Sequence, residues 1–147
     1  MSKKINKKIL FFPGLGEKPK DYRSLSKYIK IADIDWNKDK YKPQITDENI
    51  LVGFSLGNCY SLDYALKQKI KTLVICSSTP FEHLKGVKAD SMIFIAGSKE
   101  KFLIDNYKRV IKLLPKSQKN KLVIVKGADH RIVGNYENKL LEILKSA

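Results

Sequence analysis

Short apolar runs alternate with amphipathic segments along the whole chain. The runs are rich in Ile, Leu, Val and Phe and most of them end at Gly, Ser or Pro, which is typical of strands covered on both faces of a sheet. They predict six strands, at residues 9–12, 31–36, 50–54, 71–77, 91–96 and 121–126.

The segments between these runs carry apolar residues at helical spacing. Tyr22, Leu25 and Tyr28, for example, share one face of the first predicted helix. The stretch 37–48 is polar and contains Pro, so it is predicted as a loop or a poor helix, and 79–90 is predicted as a short irregular connection. The predicted helices cover residues 21–30, 58–69, 102–114 and 136–145.

This alternation of strands and helices predicts an α/β protein. We expect a three-layer αβα sandwich, with a mainly parallel sheet of about six strands and right-handed crossovers. The 147 residues predict one domain with one core, preceded at residues 1–8 by a loosely ordered basic N-terminus. In such sheets the chemistry lies at the carboxyl ends of the strands.

A Gly-x-Ser-x-Gly pattern follows the third predicted strand. Gly53, Ser55 and Gly57 lie between the apolar run 50–54 and an amphipathic segment that begins at Cys59. In this context a serine stands on a sharp strand-to-helix turn as a nucleophile, and its neighbours two residues away must be small. The sequence therefore predicts Ser55 as the nucleophile.

A serine hydroxyl needs a base, and the base needs an orienting acid. Of the two histidines, His130 follows the sixth predicted strand at the correct end of the sheet, whereas His83 has no comparable setting. His130 is the predicted base. Glu100, after the fifth strand, is the preferred acid, with Glu82 and Asp105 as alternatives.

The stabilisation of an oxyanion requires two backbone N–H groups. We expect one from Leu56, directly after the nucleophile, and one from Leu15 in the glycine-rich loop after the first strand. Gly14 in that loop allows the backbone to pass close to substrate. Phe81 and Phe102, with the side chains of Leu15 and Leu56, are candidates to line a shallow acyl pocket.

Composition excludes several classes of protein. Hydrophobic residues make up 43% of the chain, the range of a globular protein, and no apolar run approaches the length of a membrane span. We therefore expect a soluble, cytoplasmic protein. Cys59 and Cys76 are expected to be reduced and buried, and no Cys and His pair has metal-ligand spacing, so neither a metal nor an organic cofactor is implied.

The net charge of +14 raises the question of an acidic partner. Lys residues supply most of the 29 basic side chains and are spread along the chain, whereas Arg, the residue suited to bidentate contacts with nucleic acid, occurs only three times. We therefore expect no nucleic-acid partner. An acidic protein remains a candidate partner.

The chain resembles the α/β-hydrolases from residue 9 to residue 145. Four segments carry the resemblance, at residues 12–16, 53–57, 97–100 and 127–130, and their order matches the nucleophile, acid and histidine of that family. The resemblance implies that Ser55 is the nucleophile, Glu100 the acid and His130 the base.

Three features depart from the family pattern. Pro13 stands where the family often has His, and Glu100 stands where Asp is more common. The chain is also minimal, because two initial antiparallel strands are missing and the stretch 79–90 is too short for a lid domain. An open site of this kind suits a small ester, or a large substrate that brings its own cover.

The sequence thus predicts a serine hydrolase that cleaves a carboxylic ester or thioester through an acyl-enzyme, with a small-molecule carboxylesterase preferred. A thioesterase or esterase acting on an acidic acyl-carrier protein is a variant of this prediction. The alternative from a different class is a non-catalytic binding protein with the same fold.

Overall fold

The computed structural model describes residues 5–37, 47–79 and 82–147. Within these ranges six strands form one sheet in which every neighbouring pair is parallel, in the order β2-β1-β3-β4-β5-β6. The strands are β1 (Asn6–Phe12), β2 (Ile29–Ile31), β3 (Ile50–Phe54), β4 (Ile70–Cys76), β5 (Ala89–Gly97) and β6 (Lys119–Val125). The predicted α/β architecture is confirmed, with a wholly parallel sheet.

The central strands β3 and β4 are buried on both faces of the sheet, because their side chains are almost all apolar. All five residues of β3 are buried, and in β4 only Lys71 is exposed. A strand buried on both faces needs no polar alternation, which explains the continuous apolar runs in the sequence. The edge strand β6 does alternate and leaves Ile124 exposed.

Helices cover both faces of this sheet. The described ranges contain α1 (Asn58–Lys67), α2 (Lys101–Leu113) and α3 (Asn135–Lys145). Leu62 of α1 and Tyr107 of α2 belong to one hydrophobic cluster, whereas Leu140 of α3 belongs to the cluster on the other face. The bounds of these helices agree with the prediction to within two residues.

The helix predicted at 21–30 is absent. In its place stand two 3-10 turns, Pro19–Tyr22 and Leu25–Lys27, followed directly by β2. Tyr22 and Leu25 are nevertheless buried as predicted. A spacing of three residues fits the 3.0 residues per turn of a 3-10 helix as well as the α-helix, so the pattern identified the buried face but not the type of helix.

The strand predicted at 31–36 is also wrong in position, because β2 ends at Ile31. The segment beyond it leaves the sheet, although Ile34 is fully buried. The Ala32 N–H still donates to the carbonyl of Phe11 at 2.8 Å, and further on Lys18 Nζ donates to the carbonyl of Ile34 at 2.6 Å. Charged residues such as Asp33 and Asp35 are depleted in strands, which favours this departure.

The remaining differences from the prediction are small. β1 begins at Asn6, inside the predicted basic N-terminus, and a 3-10 turn, Glu82–Gly86, interrupts the predicted irregular connection. Most of the predicted loop 37–48 lies outside the described residues. Cys76 is buried as expected, but Cys59 is exposed, because it stands on the outer side of the first turn of α1.

The burial of the central strand gives a prediction for stability. Leu73 in β4 is fully buried, so Leu73→Ala should leave a cavity and lower the free energy of unfolding by about 3 kcal/mol. Leu113→Ala, at a position that is 64% exposed, is the matched control and should cost less than about 1 kcal/mol. Urea unfolding measures both, and equal losses would contradict the assignment of the core.

Candidate active site

Ser55 lies at the carboxyl end of β3, where the chain turns from strand to helix. The 3-10 turn Ser55–Gly57 connects β3 directly to α1. Ser55 has a φ of +52°, a left-handed conformation that costs a non-glycine residue about 1–2 kcal/mol. Such strain persists only where the surroundings fix it, and it is concentrated at functional sites.

The two flanking glycines are required by close packing. A Cβ on Gly57 would meet the carbonyl oxygens of Phe12 and Pro13, which are backbone atoms of the neighbouring strand and its loop. A Cβ on Gly53 would lie 2.6 Å from Asn58 Oδ1. The spacing read from the sequence therefore has a steric cause on both sides of the serine.

Asn58, which sequence reasoning missed, stabilises this turn through its side-chain amide. Its side chain is fully buried, and Nδ2 donates to the carbonyl of Ser55 at 3.0 Å and to that of Cys76 at 3.3 Å. Its Oδ1 has no hydrogen-bond partner within the described part of the chain. The amide links the turn after β3 to the end of β4. The signal that the sequence offered was an Asn directly after the Gly-x-Ser-x-Gly pattern.

The structure brings His130 and Ser55 together from loops 75 residues apart. His130 Nε2 lies 3.1 Å from Ser55 Oγ, and Nδ1 lies 2.8 Å from Glu100 Oε2. Because a carboxylate only accepts, Nδ1 carries the proton and Nε2 is free to accept from the serine hydroxyl. The ring of Phe54 packs against the imidazole, with 5.1 Å between centroids.

Glu100 is the carboxylate that faces His130. Its side chain is only 8% exposed. Oε1 accepts hydrogen bonds from Ser77 Oγ at 2.6 Å and from the Gly97 N–H at 2.9 Å, which leaves Oε2 for the imidazole. Asp105, an alternative acid, is exposed on α2. The side chain of Glu82, the other alternative, lies outside the described residues.

Backbone contacts join the loop that carries Glu100 to the loop that carries His130. A Cβ on Gly97 would collide with the carbonyl oxygen of Ala128. The Gly127 N–H donates to Ser98 Oγ at 2.7 Å, and the Lys99 N–H donates to the carbonyl of Ala128 at 3.1 Å. The separation of the carboxylate and the imidazole is therefore set by main-chain packing.

The glycine-rich loop after β1 is fastened by Glu17, another residue that sequence reasoning missed. Glu17 Oε1 accepts from the Gly14 N–H at 2.7 Å and from the Tyr22 hydroxyl at 2.6 Å. Burial and the neighbouring Glu17 carboxylate raise the pKa of Tyr22, so its hydroxyl remains a donor. The amide of Gly14 is thus occupied, while Leu15 projects from the same turn with 69% exposure.

The amide of Leu56 lies in the first turn of a helix, where N–H groups have no intrahelical acceptor and the helix dipole favours negative charge. The side chains of Leu56 and Leu15 are exposed, as are those of Phe102 and Val133. All four follow the carboxyl ends of strands. Phe81, also predicted at this edge, lies outside the described residues.

Cationic side chains lie beside the same edge. Lys99, Lys101 and Lys126 are exposed, and Arg131 pairs with Asp129 at 3.1 Å, which lowers the pKa of that carboxyl. Among the described residues no group of three or more His, Cys, Asp or Glu side chains could hold a metal ion. In the same ranges no helix is long and apolar enough to cross a membrane.

Comparison with solved structures identifies the fold of the chain. The structure superposes on a crystal structure of esterase PE8 with a TM-score of 0.67 and 15% identity, over 99% of this chain and 94% of the esterase. A dienelactone hydrolase from Anabaena variabilis superposes with a TM-score of 0.67 and 17% identity, over 97% and 84% of the two chains. The chain has the α/β-hydrolase fold.

The fold is also shared with an uncharacterized protein from Bacillus cereus, at a TM-score of 0.66 and 15% identity, where the match spans 99% of this chain and 60% of that protein. No protein-family profile matches the chain, and no curated protein matches its sequence. The similarity to these proteins is therefore found in the structure and in four short segments, and not in the sequence as a whole.

The packing at Gly57 gives a prediction. Gly57→Ala should lower the free energy of unfolding by at least about 2 kcal/mol, because the new Cβ would push against two backbone carbonyls that cannot move independently of β1. Gly86→Ala is the control, since its Cβ would meet only the flexible end of Leu66 at 3.0 Å. Thermal unfolding compares the two, and a stable Gly57→Ala protein would show that the turn is looser than described.

Proposed function

We propose that the protein is a serine hydrolase that cleaves a carboxylic ester or thioester through an acyl-enzyme on Ser55. One observation carries the proposal: an unbroken chain of contacts runs from Ser55 Oγ through the two ring nitrogens of His130 to Glu100 Oε2. The likeness to an esterase and to a dienelactone hydrolase supports hydrolysis of an ester bond as the reaction class.

In the first half-reaction Ser55 Oγ attacks the acyl carbon while His130 Nε2 takes the hydroxyl proton. The tetrahedral intermediate collapses, the bond to the leaving oxygen or sulfur breaks, and His130 returns the proton to that leaving group. Glu100 stabilises the imidazolium that exists between these two transfers. A water molecule, deprotonated by His130, then attacks the acyl carbon of the acyl-enzyme. The bond between that carbon and Ser55 Oγ breaks, His130 returns the proton to Oγ, and the acid departs.

The oxyanion would be held by the amides of Leu56 and Leu15. The Gly14 amide is bonded to Glu17 and is not offered to the substrate, so we assign the second donor to the adjacent Leu15 amide. Gly14 itself would let the substrate approach the backbone. The exposed side chains of Leu15, Leu56 and Phe102 would contact the acyl group, and a small-molecule ester is the preferred substrate.

A second candidate substrate is the thioester of an acidic acyl-carrier protein. The observation that favours it is the exposed Lys99, Lys101 and Lys126 beside the site, on a chain with a net charge of +14. A non-catalytic binding protein is the alternative outside enzymology, and it would keep its function after Ser55→Ala.

The reactivity of Ser55 is tested with a fluorophosphonate and intact-mass spectrometry. The wild type should gain a single adduct, because an activated serine attacks phosphorus as it attacks an acyl carbon. Ser55→Ala should gain none, and Glu100→Gln should react at least about a hundredfold more slowly, because the imidazolium loses its carboxylate partner.

Ser61→Ala is the matched control, because Ser61 is a buried hydroxyl on α1 that donates to the Asn58 carbonyl and does not contact His130. It should be labelled at the wild-type rate. A folded wild type that gains no adduct would remove the hydrolase proposal and leave the binding protein in its place.

Salt dependence separates the two substrate classes. If an acidic carrier is the substrate, kcat/KM should fall by at least about tenfold between 50 and 500 mM NaCl, because salt screens the attraction between exposed charges. A neutral ester of the same acyl group should change by less than about twofold. Lys99→Gln combined with Lys126→Gln should reproduce the salt effect for the carrier alone. An equal response of both substrates would contradict the carrier variant.

A further inference from the structure

Ser77 is a second strained serine next to the candidate site. In the described ranges only Ser55 and Ser77 are non-glycine residues with a positive φ, and that of Ser77 is +50°. Ser77 directly follows β4, is 1% exposed, and is pinned by its N–H, which donates to the carbonyl of Ile95 at 2.9 Å. A residue held in this conformation at a strand end marks a place where the surroundings fix the backbone.

The hydroxyl of Ser77 bridges Glu100 and Tyr136. Ser77 Oγ lies 2.6 Å from Glu100 Oε1 and 2.7 Å from the hydroxyl of Tyr136. The serine has one proton, and a carboxylate can only accept, so Ser77 donates to Glu100. The Tyr136 hydroxyl donates to Ser77 Oγ at 2.7 Å, and the carbonyl of Ile95, at 3.3 Å, is its second and longer acceptor. Burial raises the pKa of Tyr136, which keeps this fully buried hydroxyl protonated.

The two oxygens of Glu100 have separate partners. Oε1 receives both Ser77 and the Gly97 N–H, and Oε2 receives His130. The backbone donor alone fixes the position of Oε1 but leaves the carboxylate plane free to turn about it. The second donor, from a different strand, fixes the plane and so fixes where Oε2 lies.

We propose that Ser77, oriented by Tyr136, is a positioning residue that holds the Glu100 carboxylate with Oε2 directed at His130. The proposal deepens the proposed function and rests on it for its consequence in catalysis. Neither residue touches the reacting atoms. Their effect passes through Glu100 to the tautomer and orientation of the imidazole.

The same region connects Ser77 to the nucleophile. Asn58 Nδ2 donates to the carbonyl of Ser55 and to that of Cys76, the residue before Ser77. One buried amide therefore contacts the turn that carries the nucleophile and the turn that orients the acid. This amide therefore helps to fix the positions of the two strained turns, at Ser55 and at Ser77, relative to each other.

The direct test is the 15N NMR spectrum of the His130 ring nitrogens. The chain has two histidines, so a His83→Gln background leaves a single set of signals. In that background the neutral ring should be mainly the Nδ1–H tautomer, and Glu100→Gln should shift the signals toward a mixed population. Ser77→Ala should move them in the same direction, and Tyr136→Phe by a smaller amount.

The second readout is the rate of fluorophosphonate labelling. Ser77→Ala should react about tenfold more slowly than the wild type, the size expected for one lost hydrogen bond to a charged group. Ser77→Gly should be equally slow although it relieves the backbone strain, which separates the role of the hydroxyl from that of the turn. Ser91→Ala is the matched control, because its hydroxyl bonds Thr72 at 3.0 Å at the opposite end of the sheet.

The two measurements distinguish failure of the positioning role from failure of the hydrolase proposal. Unchanged ring-nitrogen shifts and unchanged labelling in folded Ser77→Ala would overturn the positioning role and leave the hydrolase proposal standing. Shifted ring nitrogens with a wild type that never labels would support the positioning of the Glu100–His130 pair and overturn the hydrolase. If Ser77→Ala does not fold, Tyr136→Phe decides, because its ring keeps the core filled, and unchanged signals in that variant would overturn the proposal.

Discussion

Close approach of main chains at the carboxyl edge of the sheet is the constraint on which the site depends. Gly57 lies against the carbonyls that end β1, and Gly97 lies against the carbonyl of Ala128 after β6. Both contacts leave no room for a side chain. The carboxyl ends of parallel strands lie at one edge of the sheet, so Ser55, Glu100 and His130 are neighbours. The close main-chain contacts then fix the distances between them.

Much of the fold and part of the site could be predicted from the sequence because their causes are local. The continuous apolar run of β3 shows burial on both faces, and the glycines around Ser55 answer a steric demand within five residues. The pairing of Glu100 with His130 was the preferred arrangement because both follow strands at the same edge, and the structure places these two side chains in contact.

What the sequence did not predict depends on contacts between distant segments. The region 21–31 has a pattern that suits two kinds of helix, and its end is fixed by the pairing of β2 with β1. The segment after it is held by Lys18, which bonds the carbonyl of Ile34. Glu17, Ser77 and Tyr136 are ordinary polar or aromatic residues in the sequence. Only the fold shows that Glu17 meets the hydroxyl of Tyr22 and that Ser77 joins Tyr136 to Glu100. Hydrogen-bond partners 59 residues apart leave no local signature.

The shared amide of Asn58 has a consequence for how this chain can diverge. Its Nδ2 supports two turns at once, and its Oδ1 fills the space beside Gly53. A side chain at the position of Gly53 would also meet Ser61 Oγ and the Cα of Asn58, so a shorter residue at position 58 would not make room for it. This position can change only if the start of α1 moves, and such a movement would withdraw the support that Asn58 gives to both turns.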